Sequence, residues 1–310
     1  MARTGTEELL HELRRSSRST DLLVPLVEKF MKNMPDVEDD EDREFMNNLI
    51  LARSQPRKKG VYSPSMLSSC VRQVYLTKTG EQKRDVGRIS SNGYFVEGNF
   101  RHFKWQFIVW KMHRAGIVQL VDVGSICIGT EIYVHNNRGD YGGTIDNLIY
   151  IPGPDVIVTV DWKGMNSNNF YKAIAANYPQ HKYAVQVAGY AGLANASLDL
   201  SQKIEHAVVI YENKNGAVQT RLLKSPLGLK EYRVDIKKHR SEITSRLKTL
   251  RAAERRDEIP PVECVSTRRV MFKDCPFAPI CRGEVEQLER KERKKKKIRK
   301  KPTVQFIKKR

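Results

Sequence analysis

Two aspartates and a lysine stand around one turn of this chain. Asp146 lies in GGTIDNLIYI, Asp161 and Lys163 lie in VIVTVDWK, and Pro152-Gly153-Pro154 separates the two apolar runs. Counting outward from Gly153, Asp146 is 7 residues back and Asp161 is 8 forward. An antiparallel hairpin then sets the aspartates nearly opposite each other, on one face. Strand side chains alternate, so Asp161 and Lys163 share that face. Two carboxylates and an ammonium at a strand end can hold a hard divalent cation through oxygen ligands. The lysine would counter charge on a phosphate or orient the attacking water. A same-face salt pair is the plainer reading of Asp-x-Lys, and the pattern alone leaves both open.

The elements that must position these residues follow from periodicity. Residues 6–33 read as helix, with Pro25 dividing it, and the acidic stretch Pro35 to Glu44 reads as a linker. SQPRKKG is a second loop. SPSMLSSCVRQVYL opens with a Ser-Pro helix start, and a further helix is expected from about Ser91 to His113. From Ile117 to His135 the period shifts towards two, ahead of the hairpin. Tyr171 to Leu193 reads as helix, HAVVIYE and AVQTRLL as strands, and Leu227 to Arg256 as a long charged helix stopping before Pro260-Pro261. Helices, a sheet, a helix and more strands make a mixed α/β domain.

Four short motifs occur in order: Gly98-Asn-Phe-Arg-His102, Gly143-Thr-Ile-Asp146, Asp161-Trp-Lys163 and Gln186-Val-Ala-Gly-Tyr190. Together they resemble the PD-(D/E)XK nuclease superfamily in its RecB-like branch, which includes CRISPR-associated RecB-type exonucleases. They match the branch's Gly-x-x-x-His helix, Gly-x-x-Asp strand, Asp-x-Lys strand and Gln-x-x-x-Tyr helix, and span about a third of the chain. Ile145 stands where the superfamily name has proline. The resemblance implies a restriction-endonuclease-like core with a central mixed sheet flanked by helices. It makes His102, Asp146, Asp161 and the Trp162 carbonyl ligands of Mg²⁺ or Mn²⁺, and Lys163 the catalytic lysine. Gln186 and Tyr190 would face the DNA backbone or buttress the lysine. His102, not Glu97, fills the motif; Glu97, five residues away on a helix, cannot point at the same ion. Buried packing is the alternative for His102, Gln186 and Tyr190.

The five cysteines are Cys70, Cys127, Cys264, Cys275 and Cys281. With no secretory signal in MARTGTEELLHELRR, disulfides are not expected, and clustered thiols point to metal or redox chemistry. Cys127, in SICIG, reads as a small core residue. RecB-like exonucleases with an iron-sulfur cluster carry one cysteine before the nuclease core and three after it. The resemblance therefore implies a 4Fe-4S cluster on Cys70, Cys264, Cys275 and Cys281, stapling the N-terminal region to the C-terminus. The spacing departs from the family's, because Phe272 occupies the place of its usual second cysteine. Zinc on the same thiolates, or simple buried thiols, are the alternatives.

The net charge is +19, and Arg290 to Arg310 holds thirteen Lys or Arg against one acid, leaving +7 for the rest. Such a tail points to a polyanion, nucleic acid first, with a solvated tail or a nuclear-localisation signal as alternatives. The charged helix ending at Arg256 could be a second phosphate-contacting face; Trp105 and Trp110 read as core. No apolar run approaches a membrane span, so a cytoplasmic protein, or a viral one in a host cytoplasm, is expected. No phosphate-binding Gly-x-x-x-x-Gly-Lys loop is present, so unwinding would need a helicase or recombination partner.

The expected organisation is a helical segment with acidic linker at 1–55, a nuclease core at 56–258, a cysteine cap at 259–289 and a disordered basic tail at 290–310. The expected activity is metal-dependent exonucleolytic hydrolysis of DNA in end processing, recombination or repair, including phage recombination. An endonuclease with the same site and a non-catalytic DNA-binding scaffold are the alternatives.

Overall fold

The computed structural model describes residues 21–35, 38–56, 61–81, 88–220, 223–264 and 275–299. Two compact units are present. One joins Met1–Ser68 to Ser90–Ser245, and the other joins Ser69–Ile89 to Arg246–Arg310.

The first unit is a mixed α/β fold around a six-stranded, mostly antiparallel sheet in the order β1-β3-β4-β5-β8, with β2 also on β3. The strands are β1 Gln119–Leu120, β2 Thr130–His135, β3 Gly142–Ile151, β4 Val156–Met165, β5 His206–Asn213 and β8 Leu229–Asp235. A small hairpin, β6 Val218–Gln219 with β7 Lys224–Ser225, lies between β5 and β8 in sequence. The hairpin at Pro152 to Pro154 forms as expected, and β3 and β4 run antiparallel from Ile151↔Val156 to Asn147↔Val160. β4 then pairs parallel with β5, which makes the sheet mixed.

Period-two alternation divides the β4 side chains between two faces. Val158, Val160 and Trp162 join Ile149, Val208 and Ile210 in the main core, together with Leu23 and Val27 at the start of α1 (Val24–Met31). Phe45 and Leu49 of α2 (Asp40–Ser54) and Trp105, Val109 and Met112 of α5 (Arg88–Arg114) complete that layer. Thr159, Asp161 and Lys163 fall on the other face, where α7 (His181–Ser197) covers β2 to β5. The short helix α3 (Pro64–Leu67) packs against α7.

Several elements differ from the sequence reading. The acidic run before Glu44 is no linker from Asp39 onward: Asp39 and Asp42 form a capping box that opens α2, where acidic residues favour the positive helix end. Asp42 is 1% exposed and takes Lys111 Nζ at 2.5 Å and Arg114 Nη1 at 2.9 Å. The single helix expected from Tyr171 to Leu193 is two, α6 (Ser167–Ala176) and α7, broken at Asn177, which adopts φ 49° ahead of Pro179. The long helix expected from Leu227 starts only at Ile236, as α8 (Ile236–Arg256). Leu229 to Asp235 is instead strand β8, whose Leu229, Tyr232 and Val234 are buried against β5. The first stretch of the helix expected over 6–33 lies outside the described residues; Pro25 sits in the first turn of α1, where it needs no N–H partner.

The second unit contains α4 (Val71–Lys78), the later turns of α8 and α9 (Ala278–Arg299). Within it Arg246 Nη1 donates to the Ser69 carbonyl at 2.6 Å, and Lys78 pairs with Glu254. Residues 290–299, expected as disordered tail, continue α9, in keeping with the helix propensity of Lys, Arg and Glu. Residues 300–310 lie outside the described residues.

Candidate active site

The β3–β4 ladder stops at Asn147↔Val160, one pair short of the two aspartates. The same register, continued, would pair Asp146 with Asp161. Instead the strands diverge there: β3 stays with β2 and β4 with β5. Divergence leaves backbone groups without ladder partners, and site residues meet them. The Trp162 N–H donates to Asp146 Oδ2 at 3.4 Å, and buried Gln106 donates Nε2–H to the Asp146 carbonyl at 3.0 Å. The Trp162 side chain is core, stacked on Trp105 at 4.8 Å with its Nε1–H on Asn147.

Asp146, Asp161, Lys163, His102 and Gln186 come together at this gap. Lys163 Nζ lies 3.0 Å from Asp161 Oδ1 and 2.9 Å from Oδ2, and Gln186 Nε2, from α7, donates to Oδ1 at 3.1 Å. His102, from α5, brings Nδ1 within 2.9 Å of Asp146 Oδ2, a close approach without hydrogen-bond alignment. Tyr190 packs one turn beyond Gln186, and a Cβ at Gly143 would lie 2.9 Å from its Cε1. The glycine of the Gly-x-x-Asp stretch is thus the residue that admits Tyr190. At Gly98, by contrast, a Cβ would meet nothing within 4 Å. Glu97 serves Arg101 and Lys214 at 2.9 and 2.5 Å.

The electrostatics separate the two carboxylates. Burial works against the Asp146 anion, but His102, Lys163 and the Trp162 N–H together hold the carboxyl down at about 2. Burial raises Asp161, and the neighbouring Asp146 charge adds to that, against the pull of Lys163. Lys163 is opposed by burial yet held well above its usual range by Asp161 and Asp146, so it is an ammonium throughout the neutral range. The Asp146 charge lifts His102 above the ordinary imidazole value, against its burial. Burial, with both aspartates nearby, pushes the Tyr190 hydroxyl up to about 12.

The residue types at the gap, two carboxylates and an imidazole, are those a divalent cation takes. Asp161 Oδ2 and His102 Nδ1 are buried without an aligned hydrogen bond, and two facing carboxylates repel unless positive charge lies between them. Among the described residues, the one His, Cys, Asp or Glu trio with donor atoms all within 4.8 Å is elsewhere: His181, His239 and Glu242. Its members are already engaged, His181 with Glu242 at 3.0 Å and His239 Nε2 with the Tyr178 hydroxyl at 2.9 Å. His102, Asp146 and Asp161 do not close to that spacing.

Sequence reasoning missed Glu131 and Gln106. Glu131 sits on β2 where the β2–β3 register puts it opposite Asp146, in a left-handed conformation with φ 48°. Burial raises its pKa and the Asp146 charge adds to it, while Arg53 lies 3.3 Å away and Gln106 bonds it at 2.7 Å. It is a third carboxylate beside the gap, visible only once β2 and β3 are in register.

Cys127 is buried in the first unit, beside Thr130. In the second unit, Cys70, Cys264, Cys275 and Cys281 line one small pocket. Burial raises the Cys264 thiol, and its three fellow cysteines add to the effect. Four cysteines around one pocket are the residue types that hold a metal or iron-sulfur group, with no three of their sulfurs within 4.8 Å of one another.

No family model and no curated protein matches the chain. Solved structures that resemble it include SSO0001, at 15% identity and TM-score 0.43 over 79% of this chain and 96% of that one. They also include LHK-Exo in complex with dAMP, at 12% identity and TM-score 0.38, over 69% of this chain and 95% of that one. The alkaline exonuclease LHK-Exo from Laribacter hongkongensis is 13% identical, with TM-score 0.36, over 70% and 97% of the two chains. No helix among the described residues is long and apolar enough to cross a membrane.

Proposed function

We propose that this chain is a divalent-metal-dependent DNA nuclease of the PD-(D/E)XK kind, of the RecB-like branch, working as an exonuclease on DNA ends. The observation that carries the reading is the divergence of β3 and β4 at Asp146 and Asp161, with Lys163, His102 and Gln186 converging on the gap. A salt pair that merely closed a strand end would have no need of five polar side chains from four elements around buried, unaligned donor atoms.

Asp146, Asp161 and His102 would hold Mg²⁺ or Mn²⁺, with the Trp162 carbonyl beside them; once bound, such an ion acidifies a ligated water and neutralises phosphate charge. Asp161 and Asp146 favour the ammonium form of Lys163, which suits it to act as a charge and not as a base. Its role is a fixed positive charge against the phosphodiester's oxygens, which grows in value as charge develops there. Gln186 holds the Asp161 carboxylate in place, and Tyr190 sets the depth at which α7 packs. His102 would bind the cation as the neutral imidazole, so any proton it carries leaves as the cation binds. DNA is the substrate proposed, with the basic residues of 290–310 adding salt-sensitive affinity for its phosphates. The four-thiol pocket is proposed to hold a 4Fe-4S cluster.

The test is cleavage of end-labelled linear DNA beside closed-circular DNA, with Mg²⁺, Mn²⁺ or a chelator. Metal-dependent shortening of linear DNA alone is expected. Lys163→Ala should lower the rate about 10²–10³-fold with DNA binding retained. Cleavage by Lys163→Ala at the wild-type rate would refute the assignment, and nicked circles would convert the exonuclease reading to an endonuclease.

A further inference from the structure

Arg72 is the second residue of α4 and only 5% exposed. Its Nη2 donates to Glu284 Oε1 at 2.7 Å. Its Nε and Nη1 are buried and have no hydrogen-bond partner among the described residues. Buried donors without acceptors are rare and costly, most of all on a charged group. The same side chain lines the pocket that Cys70, Cys264, Cys275 and Cys281 line, with Val262, Phe277 and Ala278 as apolar neighbours.

The orphaned donors and the four sulfurs complement each other. Neutral thiols are weak acceptors and would leave the guanidinium unsatisfied. Thiolates gathered on a metal group carry net negative charge and accept well. An arginine suits this place and a lysine does not, because the planar fork offers one nitrogen to Glu284 and two others elsewhere. Glu284 cancels the charge of Arg72 only partially, since its side chain is 52% exposed and its own charge is solvated.

We propose that Arg72 donates its Nε and Nη1 hydrogens to sulfur atoms of an anionic group held by Cys70, Cys264, Cys275 and Cys281, and thereby sets that group's reduction potential. The proposal rests on the iron-sulfur reading of the cysteines above. Hydrogen bonds to the sulfurs and nearby charge are among the factors that set such potentials. A fixed cation favours the reduced, more negative form, so Arg72 raises the potential and Glu284 lowers it. Arg72 is a positioning and tuning residue here.

The experiment uses the full chain, purified without oxygen, as wild type, Arg72→Gln, Arg72→Lys and Glu284→Gln. Iron and acid-labile sulfide are measured together with the reduction midpoint followed by electron paramagnetic resonance. The Arg72→Gln reduction equilibrium should fall at least tenfold, which is 59 mV for one electron. Arg72→Lys should fall between that variant and wild type, and Glu284→Gln should shift upward. An Arg72→Gln protein with wild-type iron content and midpoint overturns the role of Arg72 while leaving the cluster standing. Should Arg72→Gln hold no iron, the sign of the Glu284→Gln shift decides: upward supports the proposal, and downward or none overturns it. A wild type free of iron and sulfide removes the cysteine reading itself and this proposal with it.

Discussion

Replacing Gly143 by alanine would place a methyl group 2.9 Å from Tyr190 Cε1 and 3.3 Å from Pro64 Cδ. Carbon atoms pack best at about 3.5–4.0 Å, so about 0.6 Å or more of separation has to be created. The ring cannot swing aside, because Tyr190 is only 9% exposed and packed beside α3. The movement therefore falls on α7. Gln186 lies one turn earlier on that helix, with Nε2 3.1 Å from Asp161 Oδ1; a shift of that size carries it out of hydrogen-bond range. Overpacking of this kind costs about 1–3 kcal/mol. For a domain of this size that is about 2–12 °C in Tm, at about 2–4 °C per kcal/mol. Thermal unfolding of Gly143→Ala measures the first effect, and the cleavage rate on linear DNA measures the second. The cycle with Tyr190→Leu isolates the cause: the alanine should cost much less in the leucine background. An equal loss in both backgrounds, or no loss in either, would refute the reasoning.

Two further outcomes follow from buried carboxylates. Burial opposes the Asp42 anion, but Lys111 and Arg114 hold it below its ordinary value, so its contribution is present above about pH 4 and lost as pH falls through the lower folded value. Asp42→Asn should cost about 3–5 kcal/mol at pH 7, because it removes the buried anion that Lys111 and Arg114 share; urea titration should find a smaller loss at pH 3, and an equal loss at both pH values would count against this pairing. Glu131→Gln keeps an acceptor for Gln106 but removes the third negative charge beside Asp146. Calorimetric titration with Mn²⁺ should find affinity about tenfold weaker, and unchanged affinity would remove Glu131 from the site.

The local chemistry was legible because it follows strand period and turn position. The apolar runs on either side of Pro152-Gly153-Pro154 predict the hairpin, and the count from Gly153 predicts the register that the ladder keeps as far as Asn147↔Val160. Alternation likewise sends Asp161 and Lys163 to one face and Val158 and Val160 to the other. Trp105 is core, as its helical position suggested. Element ends were less legible where one residue decides: Asn177 at φ 49° breaks a helix that periodicity alone continues, and pairing with β5 turns Leu229 to Asp235 into a strand.

Only tertiary structure decides that β3 and β4 diverge just before the aspartates, because that depends on β2 and β5 holding them from opposite sides. It alone brings His102 of α5 to Asp146, sets Glu131 across from that residue, and seats Gln186 on Asp161. The same holds for Cys70 and Arg72, which reach the pocket of three cysteines about two hundred residues later in the chain. Residue types and short spacings state which groups can share a strand face or a helix turn. Distances across a sheet, and between segments far apart in sequence, depend on how the whole core packs, and no local pattern encodes them.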